Sequence, residues 1–80
     1  MFNDEIKKQR EKLGMSQAEL ARLAEISAAH MCDIEHGKKY PSALLLHILC
    51  QILWNKNSAK IFKKIQDEIL DKKIKELQKK

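Results

Sequence analysis

The sequence predicts an all-α fold of five helices, the last of them extended. Two observations carry this. Only two glycines and one proline interrupt the 80 residues, and the rest is rich in Leu, Ile, Lys, Glu and Ala, which suit helices with short turns. Residue types that start and stop helices also recur at short intervals, so each helix has a boundary that can be read locally. A chain of this length makes one small domain with a limited core.

Asn3 reads as the cap of a first helix from Asp4 to about Leu13, with acids at its positive end, Ile6 and Leu13 on its apolar side, and Gly14 as a left-handed stop. Ser16 followed three residues later by Glu19 forms a capping box for a short second helix whose apolar face is Leu20, Leu23 and Ala24. Ser27 caps a third helix, "AAHMCDIEH", in which Met31 and Ile34 point inward, Ala28, Ala29, His30 and Asp33 point outward, and Gly37 ends the run. Only Glu25, Ile26 and that cap separate the second and third helices, so a tight turn joins them. In "KKYPS", Pro41 holds Tyr40 extended and Ser42 caps a fourth helix that is apolar on almost every side and is expected to be covered all round. "NKNS" breaks the pattern, Trp54 belongs to the seam of the fourth and fifth helices, and Ser58 is read as the cap of a fifth helix running to residue 80.

The fifth helix carries two stripes. At about 100° per residue, Ile61, Phe62, Ile65 and Ile69 cluster in one direction, and Leu70, Ile74 and Leu77 cluster about 130° away. A single partner cannot cover both. The first stripe is expected on the protein's own four-helix body and the second against another chain, the alternative being a frayed, solvated tail.

The net charge is +5 and the pI about 9.3, a balance that points to nucleic acid or another anionic surface. The excess is localised. Residues 1–55 hold seven basic and seven acidic groups, whereas residues 56–80 hold nine lysines and four acids. Cys32 and Cys50 lie within apolar helical pattern without a secretory signal before them, so reduced thiols in a cytoplasm are expected. The apolar run from Ala43 to Trp54 is too short to span a bilayer, and no membrane association is expected.

Two short helices on a tight turn, "MSQAELARLAEISAAHMCDIEHG", have the sequence form of a DNA-binding helix-turn-helix. Residues 15–42 resemble the phage-repressor-like, or Cro/XRE-type, helix-turn-helix family through "MSQAELA", "IEHGKKYPS" and their ungapped separation, and the resemblance extends more weakly over residues 6–53. It implies a repressor-like DNA-binding domain in residues 1–57, and the second stripe makes the C-terminal helix, residues 58–80, the expected dimerisation element. By matched position it implies a framework ion pair between Arg10 and Glu35, a phosphate clamp at Gln17, caps at Ser16 and Ser27 whose neighbouring amides face phosphate, and a small residue, Ala21, where the second and third helices meet.

The sequence also departs from the family pattern. Ala28, Ala29 and Asp33 occupy places where long polar side chains reach base edges, with His30 close by. Alanine can offer only a methyl to thymine, and Asp33 can accept from cytosine. Glu25 stands where the family has glycine in the turn.

The expected partner is double-stranded DNA, bound by a homodimeric repressor or autoregulator through half-sites about 34 Å apart. Lys38, Lys39 and Tyr40 join Gln17 and Ser27 on phosphates, His30, Asp33 and the two alanine methyls read bases, and Leu70, Ile74 and Leu77 form the dimer interface. No cofactor or metal is expected, because His30 and Cys32 do not share a helix face and no paired-ligand spacing accompanies them. No catalytic constellation is apparent, so an enzyme is not expected. The rival reading is a protein-interaction module, such as an antitoxin or adaptor, that keeps the frame while binding another protein.

Overall fold

The computed structural model describes residues 1–78 and consists of five α-helices: α1 (Phe2–Lys12), α2 (Gln17–Leu23), α3 (Ala28–Glu35), α4 (Ala43–Trp54) and α5 (Ser58–Gln78). A single 3-10 turn over Asn55–Asn57 links α4 to α5, and no strand occurs among the described residues. The expectation that the fifth helix runs to residue 80 extends beyond the described residues at 79 and 80.

Local chemistry explains the first three boundaries. The Ser16 hydroxyl accepts from the Glu19 amide at 3.0 Å while Glu19 accepts from the Ser16 amide, so the capping box is complete. The Ser27 and Ser42 hydroxyls accept in the same way from the amides of His30 and Leu45. Helices α1, α2 and α3 then end alike. In each, the residue after the cap is left-handed and two crossed amide-to-carbonyl bonds close the last turn: Met15 to Arg10 and Gly14 to Glu11, Ile26 to Ala21 and Glu25 to Arg22, Lys38 to Asp33 and Gly37 to Ile34. Glycine supplies the conformation after α1 and α3, but Glu25 supplies it after α2 with φ +58°.

Phe2, Ile6, Leu20, Met31, Ile34, Leu46, Leu49, Cys50 and Ile65 are enclosed in one core shared by all five helices. Met15 and Ile26, the residues just before the caps of α2 and α3, pack onto it and fix the direction in which the chain enters each helix. Enclosure pushes the Cys50 thiol up to about 11, chiefly by desolvation, so the group is a neutral apolar filler at physiological pH.

Several sequence expectations are corrected by packing. Asn3 does not cap α1, which starts earlier, from Met1; its side chain instead donates to the Glu35 carbonyl at 3.3 Å. Leu13 and Leu23 lie outside the core, because no neighbouring helix covers the end of α1 or that side of α2. Helix α4 is not covered all round either: Leu44 is 73 % exposed and Ile48 37 %. Ser58 is the buried first residue of α5 rather than its cap, because the 3-10 turn delivers the chain into α5 almost without a break.

Helix α5 is attached along its length. Ile65 and Ile69 are buried in the core with Ile61 and Phe62 against it. Beside this stripe, Lys64, Glu68, Lys72 and Glu76 recur every four residues on one side and meet the rest of the protein in turn. Lys64 donates to Glu5 at 2.7 Å, Glu68 accepts from the Phe2 amide, the Lys72 ammonium stands 6.0 Å from the Phe2 ring centroid, and Glu76 accepts from the Tyr40 hydroxyl at 2.8 Å. Leu70, Ile74 and Leu77 face away, at 55 %, 44 % and 66 % exposure.

The left-handed Glu25 makes a simple test of the turn. Its replacement by glycine is expected to raise stability by about 1 kcal/mol, since the Cβ strain disappears. Urea unfolding with an unchanged slope checks this; a fall in stability would show that the Glu25 side chain contributes more than its strain costs.

Candidate nucleic-acid interface

Helix α3 has eight residues, too few to hold its shape unaided, so its position is imposed by partners on its buried side. The main one is ionic. Arg10 donates from Nε to Glu35 Oε2 at 2.7 Å and from Nη2 to Oε1 at 3.0 Å, a two-pronged match of guanidinium and carboxylate. The remaining Arg10 nitrogen, Nη1, donates to the Met15 carbonyl at 2.8 Å, and Gln17 Nε2 donates to Glu35 Oε1 at 3.1 Å. Helices α1, α2 and α3 therefore meet at one carboxylate whose side chain is 1 % exposed. Its hydrogen bond holds the Arg10 guanidinium above its ordinary pKa, against the opposing effect of burial.

With Met31, Ile34 and Glu35 turned inward, a rotation of about 100° per residue leaves Ala29, Asp33 and His36 at the centre of the outward side, flanked by His30 and Cys32, with Ala28 at the exposed first turn. Ala28 and Ala29 are exposed, and His30 is half-buried at the margin. Asp33 is paired with Lys39 at 3.6 Å, and its carbonyl accepts from the amides of both Lys38 and Lys39. The residue expected to read a base and a residue expected to hold a phosphate are thus joined to each other. That pairing offsets the repulsion a lone carboxylate would offer to phosphate.

His36 joins the outward side although the sequence pattern does not single it out as a reader. It is exposed, and its Nδ1 lies 2.8 Å from the Cys32 carbonyl and 3.3 Å from Cys32 Sγ. The signal for it is helical spacing: His36 follows Cys32 by four residues and Asp33 by three, which places all three on one side of α3. Cys32 and His36 are a close pair of metal-capable side chains, but among the described residues no three such groups converge.

The predicted interface residues do not all gather in one place. Gln17, Ser27, Ala28, Ala29, Asp33, Lys38 and Lys39 surround α3 and the starts of α2 and α3. The Ser16 and Ser27 hydroxyls are occupied by the caps, and Gln17 is turned onto Glu35. The Tyr40 ring leans on Phe2 with centroids 5.8 Å apart, and its hydroxyl donates to Glu76 on α5. Glu76 accordingly raises the Tyr40 pKa, first through this hydrogen bond. Leu70, Ile74 and Leu77 are far along the chain on the outer side of α5.

Two short helices joined by the four residues Ala24 to Ser27, the second braced along its inner edge and open along its outer one, form a helix-turn-helix. A helix-turn-helix family model matches residues 6–53, more than half the chain. The chain belongs to the Cro/C1-type, or XRE, helix-turn-helix family. No curated protein and no solved structure matches it. As a family member it is a DNA-binding regulator of transcription, in a family that is not enzymatic. In a helix-turn-helix the second helix is the one that lies in the major groove while the first crosses the backbone, and α3 and α2 hold those two places in the motif. No helix among the described residues is long and apolar enough to cross a membrane.

The buried brace predicts an asymmetric response to substitution. Arg10→Ala strands the Glu35 carboxylate and is expected to cost about 3–5 kcal/mol. Replacing both partners, as in Arg10→Met with Glu35→Leu, should recover most of that stability. Chemical denaturation of the two variants checks both, and equal destabilisation would mean that shape rather than charge pairing matters at this site.

Proposed function

We propose that the protein is a sequence-specific transcriptional repressor or autoregulator that binds a twofold-symmetric operator as a homodimer in the cytoplasm. Residues 1–57 read DNA and residues 58–80 join the two copies. The observation that carries this reading is the recognition helix itself: inner edge clamped at Glu35, outer side open, and two lysines where it ends.

Helix α3 enters the major groove with Ala28 and Ala29 offering methyls to thymines, while Asp33 and His36 supply the polar contacts to base edges. His30 stands at the margin as a further donor. Lys38 and Lys39 hold phosphates, together with the amides at the starts of α2 and α3 beside Ser16, Gln17 and Ser27. Few polar letters on the reading side make each subunit a modest reader, so DNA shape and a second copy supply the remainder. The second copy covers Leu70, Ile74 and Leu77, an apolar stripe on a helix otherwise dressed in charge.

Selection of binding sites from random duplexes, at two salt concentrations and with the mass measured in the same buffer, is the deciding experiment. A palindrome recovered by a dimer is the expected result. Binding without a consensus that vanishes at moderate salt would favour the rival reading, a frame whose partner is another protein. That alternative draws on the two alanine methyls and on the engagement of Asp33 by Lys39.

Two sets of variants separate the parts. Lys38→Ala with Lys39→Ala is expected to weaken binding to all sequences alike and to make the salt dependence shallower, by about one in slope for each phosphate that the lysines neutralise; an unchanged slope would remove these lysines from the interface. Leu70, Ile74 and Leu77 changed together to serine should sediment as 9.3 kDa monomers, and an unchanged mass would remove the dimer stripe.

A further inference from the structure

We propose that the Tyr40–Glu76 contact is a positioning element that fixes which half-site spacing the protein accepts. The inference rests on the homodimer reading above and adds what sets its geometry.

Apolar burial of α5 in the core ends at Ile69 among the described residues. The turns beyond it carry Leu70, Ile74 and Leu77, continue the same unbroken helix to Gln78, and are tied to the body by a polar clasp. Tyr40 donates its hydroxyl to Glu76 Oε1 at 2.8 Å, and the Lys73 ammonium stands 5.2 Å from the Tyr40 ring centroid. The Tyr40 ring rests on Phe2, which is fully enclosed. Tyr40, Lys73, Glu76 and Leu77 also line a cleft of about 400 Å³, so this junction is not close-packed and direction depends on the hydrogen bond rather than on filling.

Tyr40 sits between two stiff neighbours and a functional one. Pro41 follows it and restricts its backbone, Ser42 caps α4, and Lys38 and Lys39 precede it. One residue is thereby joined to the end of α3 through four residues of loop and to the outer half of α5 through its hydroxyl. In a dimer held at Leu70, Ile74 and Leu77, the distance and angle between the two copies of α3 follow from the angle between the end of α5 and its own α3. The clasp sets that angle.

The consequence can be read on DNA. Adding two base pairs between half-sites moves one of them about 7 Å and rotates it about 70° around the duplex, which a rigid dimer rejects and a loosely jointed one tolerates. The test uses the full chain and the palindrome recovered by selection, with the spacer altered by up to two base pairs either way. Tyr40→Phe removes only the hydroxyl, Glu76→Ala removes the acceptor, and Glu76→Gln retains an acceptor.

Tyr40→Phe and Glu76→Ala are expected to remain dimeric and to bind a single half-site as the unaltered protein does. Their preference for the best spacing over one changed by two base pairs should fall about fivefold or more, the scale of a single hydrogen bond. Glu76→Gln should keep the preference. If Tyr40→Phe weakens binding at every spacing by one factor, Tyr40 is a direct contact or a general stabiliser and the inference is overturned. A monomeric unaltered protein, or the absence of any palindrome, would remove the dimer reading and this inference with it; a dimer whose variants keep the same spacing profile would remove the inference alone.

Discussion

The buried pairing of Arg10 with Glu35 is the contact on which the functional surface depends. Glu35 lies in the last turn of α3, Arg10 in α1, and the third partner of the carboxylate, Gln17, opens α2. Two helices of seven and eight residues have little stability of their own. Three charge-assisted hydrogen bonds at one enclosed carboxylate give them a shared fixed point, and Asn3 adds a second tie at the Glu35 carbonyl. A buried pair of this kind contributes less to stability than to geometry, since an apolar replacement of the same volume can be as stable. Here the geometry is the useful product: the outer side of α3 is held out at one angle.

The outer side is chemically sparse. Two methyls, a carboxylate already shared with a lysine, a thiol and an imidazole occupy it, and the pairing of Asp33 with Lys39 at 3.6 Å keeps the region electrically balanced. This agrees with the even charge of residues 1–55, where acids and bases are equal in number. Residues 1–55 therefore present no broad positive field, and Lys38 and Lys39 are local charges in the loop that follows α3. A charge-balanced surface of this kind gains little from long-range attraction to a polyanion.

Helix α5 solves a different problem with three sides. Ile65 and Ile69 secure its first half in the core, the Lys64–Glu68–Lys72–Glu76 series meets α1 and the loop after α3, and the Leu70–Ile74–Leu77 side remains open. Exposed polar contacts are individually weak, so the apolar contacts hold the helix and the polar series aims it. The last of these polar contacts among the described residues is the one at Tyr40.

Much of this is legible in the sequence because its causes are local. Caps at Ser16, Ser27 and Ser42, left-handed stops at Gly14 and Gly37, and the strained Glu25 between α2 and α3 are fixed by residues within about five positions of one another. The two stripes of α5 follow from helical period alone. Tertiary packing decided the rest, since whether an apolar residue is covered depends on where other helices lie. Leu13, Leu23, Leu44 and Ile48 have core-like character and no helix above them. Asn3 has the chemistry of a cap, but the enclosure of Phe2 draws the start of α1 back and frees Asn3 for Glu35. Tyr40 follows two lysines in sequence, which suggests a shared role with them, yet it bonds a residue 36 positions away. The sequence by itself determined the helices, their ends and the helix-turn-helix frame, because hydrogen bonds between near neighbours suffice for those. Which apolar side chains another helix covers, and which side chains tie the loop after α3 to α5, was decided by contacts between distant residues, which no local pattern encodes.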